Sequence, residues 1–331
     1  MKIVLASPKF PQPRGNTVTV RRIATNLEKL GVATEIISTT EELHLPPIPS
    51  GDLVHGFHAY QFYRFMQKMD RPPTQYVVTM TGTDLNVDLF DPRRRADVLA
   101  SLRGAAAIHV FDEKAKNLVL GEAPDLDGKV FAIPQGNSVF PTSDSIFKKE
   151  ADSFVFLLPA GIRKVKNIPA AISMLRKLQI AQPQLRLWIV GPVLEEEEWQ
   201  IVKSLVEEHP EWIRYLGQMP HGEMGALYTQ ADVVLNSSHS EGQPAAILEA
   251  MGFALPVLVS DIPGNRGIVT HQETGFLYSS EHDFLDYAKK LMVDRASNEQ
   301  IGKQAAQYIE EHHSSTGEAQ ALLEMYNSIL K

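Results

Sequence analysis

The sequence predicts an α/β protein made of two consecutive halves, each folded around a parallel sheet. Short β-branched or aromatic runs alternate with longer helical patterns along nearly the whole chain, which is the signature of βαβ units. The alternation lapses once, at Ser138–Ser153 ("SVFPTSDSIFKKEADS"), into polar and turn-forming residues, and then resumes; a domain linker is expected there. At 331 residues the chain is long enough for two domains, each with its own core.

The first series opens with the strand "KIVLAS", the loop "PKFPQPRGN" and a helix over Thr17–Leu30, which Gly31 ends as a C-cap. "TEIIS", "DLVH", "QYVVTM", "AAIHVF" and "KVFAIP" continue the strands, with helical patterns between them. The second series runs through "FVFLLPAG", "RLWIVGP", "IRYLGQ", "DVVLNSS" and "PVLVSD", with helices starting near Asn167, Leu194, His221 and Pro244. The tail holds helical patterns at Asp283–Met292 and Ser297–Glu311 and, after "HHSSTG", at Glu318–Leu330. The expected domains are residues 1–143 and 151–312, with 313–331 as a helix packing back on the first. Open parallel sheets place ligands at the carboxyl ends of their strands, so a cleft between the halves is the expected site.

Composition excludes several functions. Cysteine is absent, which removes disulfides, thiolate metal sites and a Cys nucleophile. The first residues, "MKIVLASPKFPQP", hold too short an apolar run for a signal peptide, and no run is long enough to span a bilayer; the cytoplasm is the expected compartment. The net charge is −8, with the acidic excess in the second half, so no nucleic-acid partner is expected. The basic cluster "DPRRRADVLASLRG" starts an amphipathic helix, read either as a solvated face or as a patch for weak membrane-surface or acidic-substrate contact. There is no G-x-G-x-x-G after a strand, no Walker sequence, no H-E-x-x-H and no G-x-S-x-G. No metal ligands are assigned, and His312-His313 reads as an exposed pair near a helix end.

Three stretches carry chemistry. In "SEGQPAAILEAMGFALPVLVSDIPGN", Glu241 and Glu249 stand eight residues apart, a separation that leaves about 80° between them on a helix. Pro244 suits the first helical position, which puts Glu241 in the loop after "DVVLNSS" and Glu249 inside the helix. The helix N-terminus after Gly242 then forms an anion site between two carboxylates. The alternative is an amphipathic core helix whose glutamates face water. "LPAGIRKVKNIPAA" sets Arg163, Lys164 and Lys166 at a strand-to-helix loop, either to meet a diphosphate or as a solvated basic loop. "PRGNTVT" offers Gly15 for close backbone approach and Thr17 as a helix cap.

Together these residues resemble the retaining family 4 glycosyltransferases. Glu241-x7-Glu249 is similar to that family's paired-glutamate motif, and "AGIRKVKN" to its Gly-Arg…Lys loop. "IRYLGQMPHGEMGALYTQADVVLNSS" and "HQETGFLY" resemble the stretches before and after the motif, and "IPQGNSVF" the end of the acceptor domain. More narrowly, "SPKFPQPRGNTVTVRR", "TGTDLN" and "SDIPGN" are similar to the glycosyltransferase 1 domain-containing protein 1 group.

The resemblance implies a GT-B fold, with two Rossmann-like domains facing across a cleft and the last helix crossing back to the first. It implies transfer of a sugar, hexosyltransferase-type, from a nucleotide-sugar, most simply a UDP-sugar, with retained configuration and no obligatory metal or other cofactor. The acceptor is an unidentified small molecule, glycan or lipid. Arg163 and Lys166 would stabilise the departing diphosphate, Glu241 would contact the donor sugar, and the backbone at Gly242, Gln243, Pro244 and Ala245 would hold sugar and phosphate oxygens. Glu249 would accept from the ribose hydroxyls, Met219 would edge the base, and Gly15 and Asn16 would close over the diphosphate. Many relatives have His where this chain has Thr81, in "TMTGTDLN", so a His contact to the sugar does not carry over. Asp84 either serves the acceptor side or caps the following turn. His58, Thr81 and Asp84 are the acceptor-side candidates, and His55 and the aromatics of "DLVHGFHAYQFYRF" either line an acceptor pocket or belong to the core. Other GT-B activities, a sugar-nucleotide epimerase or a phosphorylase, and a non-catalytic nucleotide- or glycan-binding protein are the alternatives.

Overall fold

In the computed structural model the described residues are 1–40, 48–140 and 146–331. The expected end of the first domain at residue 143, within the linker, lies outside them. The chain divides into two compact units, Met1–Gly136 with His313–Lys331, and Asn137–His312.

In chain order the first unit runs β1 (Lys2–Ser7), α1 (Gly15–Lys29), β2 (Ala33–Ser38), β3 (Leu53–Phe57), α2 (Ala59–Met66), β4 (Tyr76–Thr79), α3 (Arg95–Gly104), β5 (Ala107–Val110), α4 (Glu113–Glu122) and β6 (Val130–Ala132). The second runs β7 (Phe154–Pro159), α5 (Ile168–Gln179), β8 (Leu185–Val190), α6 (Glu196–Glu208), β9 (Ile213–Tyr215) and α7 (Met224–Tyr228). It continues with β10 (Val233–Asn236), α8 (Ala245–Gly252), β11 (Val257–Ser260), α9 (Pro263–Arg266), β12 (Phe276–Tyr278), α10 (Glu281–Val293) and α11 (Arg295–His312). The last helix, α12 (Ser315–Leu330), belongs to the first unit.

Each sheet has six strands, all parallel. The first follows the order β2-β1-β3-β4-β5-β6 and the second β12-β11-β10-β7-β8-β9. Strands in such sheets are covered on both faces, so their sequences are continuous rather than alternating in apolarity: "KIVLAS" is buried from Ile3 to Ser7 and "FVFLLP" from Val155 to Leu158. The chain departs from β7 to β8 on one side, and β10 pairs on the other, which makes the β7–β10 boundary the switch point where open sheets bind ligands.

The last helix is bound into the first unit on two kinds of contact. Ala319, Leu322, Met325 and Tyr326, at helical spacing, share a core with Ile3 and Leu5 of β1 and Val20 and Ile23 of α1. Arg22 of α1 also grips Glu318 with Nε and Nη2 at 2.8 and 2.9 Å, and the two side chains are only 5% and 1% exposed. His313 corrects the expectation of an exposed pair: it is buried with Nδ1 2.7 Å from the Gln135 carbonyl, while His312 stays exposed.

A buried hydrogen-bond chain crosses the same sheet. His109 Nε2 lies 2.9 Å from the Ile133 carbonyl, which can only accept, so this nitrogen carries the proton. Burial holds both His109 and His55 below the ordinary histidine range, so both rings are neutral. The Thr79 hydroxyl therefore donates to His109 Nδ1 at 2.8 Å and accepts from His55 Nε2 at 2.6 Å. His55 Nδ1 in turn accepts from the Tyr326 hydroxyl at 2.6 Å, and burial, with the Glu318 charge, pushes that phenol up so it keeps its proton. His55 is thus a core residue that fastens α12.

Candidate functional site

Two loops leave the sheet at the switch point of the second unit. After β7 the chain extends by one bridge between Ile162 and Val193, passes Arg163 in an extended conformation, and makes a single tight turn at Lys164–Lys166. Asn167 then adopts a left-handed conformation (φ 49°) and α5 begins, with Pro169 in its first turn, where a missing N–H costs nothing. After β10 the chain runs Ser237–Pro244 into α8. The loops are joined by the Ser237 hydroxyl donating to the Lys166 carbonyl and by the His239 N–H donating to the Val165 carbonyl, both at 2.8 Å.

Across this seam Lys166 forms an ion pair with Glu241, with side chains 16% and 9% exposed. Three donors meet on one oxygen, Glu241 Oε1: the Lys166 ammonium, the Ser238 hydroxyl at 2.6 Å and the Asn236 amide at 3.0 Å. Burial pushes the Glu241 carboxyl up, but the Lys166 charge and the three hydrogen bonds outweigh it and hold the group below the usual carboxylate range. Asn236 is oriented by Asn265, a fully buried amide whose Nδ2 donates to Asn236 Oδ1 at 3.2 Å and to the Ser260 carbonyl at 2.8 Å. Gly264 lets the loop lie on α9, since a Cβ there would stand 2.1 Å from the Gly242 carbonyl oxygen and 2.5 Å from that of Glu241. Beside Lys166, Arg163 has a buried Nε with no hydrogen-bond partner among the described residues.

Glu249 stands eight residues on, inside α8 and 4% exposed. Its Oε2 accepts from the Tyr228 hydroxyl at 2.8 Å, and its Oε1 lies 2.7 Å from His221 Nε2. Burial, with the neighbouring Glu249 charge, pushes the Tyr228 phenol well up, so it is a constant donor. Pro244 is the N-cap of α8 and not its first helical residue, because its ψ of 106° is extended and the helix opens at Ala245. The Ile247 and Leu248 N–H groups donate to the Pro244 carbonyl at 3.0 and 3.3 Å, so the amides ahead of the helical ladder are those of Ala245 and Ala246. Gln243 is buried, and Met219 is half-buried between β9 and α7.

The structure brings Lys166, Glu241 and Gly242–Ala245 together at one strand end. Gly15 and Asn16 belong to the first unit, where they open α1. Thr17 does not cap that helix: its hydroxyl donates to the Gln12 carbonyl at 2.6 Å, and α1 begins two residues earlier than expected. The acceptor-side candidates are gathered after β3 and β4, where they satisfy one another. Asp84, fully buried, accepts from the Thr81 N–H and hydroxyl on Oδ1, both at 2.8 Å, and from the Ala59 N–H on Oδ2 at 2.7 Å. His58, at φ 71°, caps α2 through Nδ1, which accepts from the Gln61 N–H, so Nε2 faces the Thr83 hydroxyl at 3.0 Å as a donor. Asp84 therefore holds the loops in place, and a π-helical turn follows at Asp84–Asp88. The basic cluster carries its own counter-charges, since Arg93 and Arg94 reach Asp91 and Asp88 and Arg95 reaches Glu122.

Asn236, Ser238, Asn265, Tyr228 and His221 were not legible as site residues in the sequence. The only cue was that Asn236 and Ser238 are polar residues closing an otherwise apolar strand. Among the described residues no three His, Asp or Glu side chains converge so as to hold a metal ion, and no helix is long and apolar enough to cross a membrane.

The two six-stranded parallel α/β units make the architecture GT-B, and solved structures share it. Sucrose-phosphate synthase from Thermosynechococcus elongatus superposes with a TM-score of 0.80 at 17% identity, over 99% of each chain. Anabaena HepE, solved with UDP and glucose, superposes at 0.76 and 17% identity, over 99% of this chain and all of that one. The chain belongs to the group 1 glycosyl transferases, whose family profile matches residues 140–308, about half its length. Glycosyltransferase 1 domain-containing protein 1 of Xenopus tropicalis is 27% identical over 312 residues, spanning 91% of this chain and 90% of that protein.

Proposed function

We propose that the protein is a retaining, metal-independent family 4 glycosyltransferase that moves a hexose from a UDP-sugar to an acceptor hydroxyl. The observation that carries this reading is the Lys166–Glu241 pair at the switch point of the second sheet, with Arg163 beside it and Glu249 inside the following helix. HepE, which shares the fold, was solved with UDP and glucose, and this supports uridine as the base.

Lys166 keeps two further N–H donors after serving Glu241, and with Arg163 it would neutralise the negative charge that grows on the diphosphate as the sugar leaves. The amides opening α8 add the positive end of the helix dipole to the same charge. Glu241, held ionised, would accept from a sugar hydroxyl and fix the ring. Glu249 would accept from the ribose. The acceptor oxygen attacks the anomeric carbon on the face the phosphate leaves, the carbon–phosphate-oxygen bond breaks, and the acceptor proton passes to a phosphate oxygen of the departing UDP.

The test is a thermal-shift screen of UDP, GDP and ADP, followed by mass analysis of donor turnover with each nucleotide-sugar. UDP is expected to stabilise most, and Glu241→Gln to cut UDP release from the donor by about a hundredfold while changing UDP affinity little. Unchanged turnover in that variant would sink the role given to Glu241. An epimerised donor, or phosphate as the accepting group, would replace transfer with one of the other GT-B reactions.

A further inference from the structure

We propose that His221 is a positioning residue for nucleotide recognition: it fixes the Glu249 carboxylate so that it reads the cis-diol of a ribonucleotide, and it thereby sets ribose over deoxyribose. The inference rests on the reading that Glu249 faces the ribose. It adds a residue that lies outside the paired-glutamate motif and the basic loop.

Glu249 sits in an apolar setting, between Leu248, Ala250 and Met251, all buried, on a helix backed by Ala305 and Ile309 of α11. It has one partner on each oxygen. Tyr228 is fully buried and permanent; His221 has a side chain 39% exposed and belongs to the short turn His221–Glu223 after β9. An ionised carboxylate only accepts, so the 2.7 Å contact requires the proton on His221 Nε2, whichever state Nδ1 is in. The imidazole is held edge-on by Phe140, with ring centroids 5.0 Å apart, and Phe140 itself packs on Tyr228 and Phe253. The ring is therefore a fixed donor and not a wandering surface side chain.

A carboxylate offers about four acceptor positions, two on each oxygen. His221 and Tyr228 each take one, on different oxygens, and this pins the carboxylate plane and leaves one position open on each. Two open acceptors side by side fit two neighbouring hydroxyls, which is the arrangement of a ribose 2′,3′-diol. A 2′-deoxyribose leaves one acceptor unmet in a site already withdrawn from water, so the site penalises it. Without His221, Oε1 loses its fixed donor, the plane is anchored from the Tyr228 side alone, and water can serve the oxygen that the missing hydroxyl would have met.

The experiment is calorimetric titration of UDP, GDP, ADP and their 2′-deoxy counterparts into the wild-type chain, His221→Ala and His221→Gln, with circular dichroism to check folding. The wild type is expected to prefer the ribonucleotide by about tenfold or more, as one charge-assisted hydrogen bond implies. His221→Ala is expected to reduce that preference about fivefold while leaving the 2′-deoxy affinity within about twofold. His221→Gln, whose amide N–H can stand in for Nε2–H, should restore most of the preference. A His221→Ala chain that keeps the wild-type preference overturns the inference, and so does one that weakens both nucleotides equally, since that is a structural effect. Failure of the folded wild type to bind any of the six nucleotides overturns the nucleotide-sugar reading itself.

Discussion

The buried chain across the first sheet and the cluster after β7 and β10 of the second use polar side chains in opposite ways. In the first unit His55, Thr79 and His109 turn toward one another, stay neutral, and close a hydrogen-bond chain between Tyr326 and the Ile133 carbonyl. In the second unit the loops after β7 and β10 bring charged groups together. Lys166 and Glu241 pair, but the ammonium keeps donors in hand and the Arg163 Nε is buried without a partner among the described residues. The difference separates a network that is complete from one that is not: a saturated neutral network fastens a helix, and an unsaturated charged one has donors left for the diphosphate proposed above.

Breaking the first network should cost stability, and breaking the second should cost affinity. The largest expected effect lies beside that network, in the ion pair that also fastens α12: Glu318→Ala strands the Arg22 guanidinium in the core, and a loss of about 3–5 kcal/mol should appear in urea unfolding. Replacing both partners together, Arg22→Met with Glu318→Leu, should recover most of it. Acid comes next. His55 and His109 are held below their ordinary range, so near pH 6.5 and below the unfolded chain takes up protons that the folded one refuses. Stability should be full above that pH and fall as the pH drops through it, by up to about 1.4 kcal/mol per pH unit for each ring. A urea midpoint followed from pH 8 to 5 measures this, and a flat profile would contradict the neutral chain.

Lys166→Met sharpens the contrast from the other side. It should weaken UDP binding about ten- to a hundredfold by titration, the value of one or two charge-assisted hydrogen bonds. It should also lower the urea midpoint, because Glu241 keeps Ser238 and Asn236 but loses its counter-charge. The smallest expected effect is that of Tyr326→Phe. It removes one donor to His55 Nδ1 and should cost about 1–2 kcal/mol in the same unfolding assay without altering UDP affinity.

The legible features were those written over a few adjacent residues. Continuous apolar runs announced β1 and β7, and the eight-residue spacing with Pro244 separated a loop glutamate from a helix glutamate. Sheet order, the Arg22–Glu318 grip across 296 positions and the His55–Tyr326 bond across 271 depend on where the chain returns, and no local pattern encodes that. Pro244 and Thr17 show the limit within a single turn. Both residues suit a helix start, and tertiary hydrogen bonding or one extended ψ decided which side of the boundary each took. Asn265 was hidden for a different reason: it reaches Glu241 through Asn236, so this role exists only once two loops have met.

The return of α12 to the first unit also bears on how the chain is made. Ile3, Leu5, Val20 and Ile23 complete their core with Leu322 and Tyr326, residues made after the whole of the second unit. The second unit, continuous from Asn137 to His312, has all its strands in hand before then. During synthesis the second unit is thus able to fold before the first is complete, and the core of the first keeps an apolar face uncovered until α12 emerges.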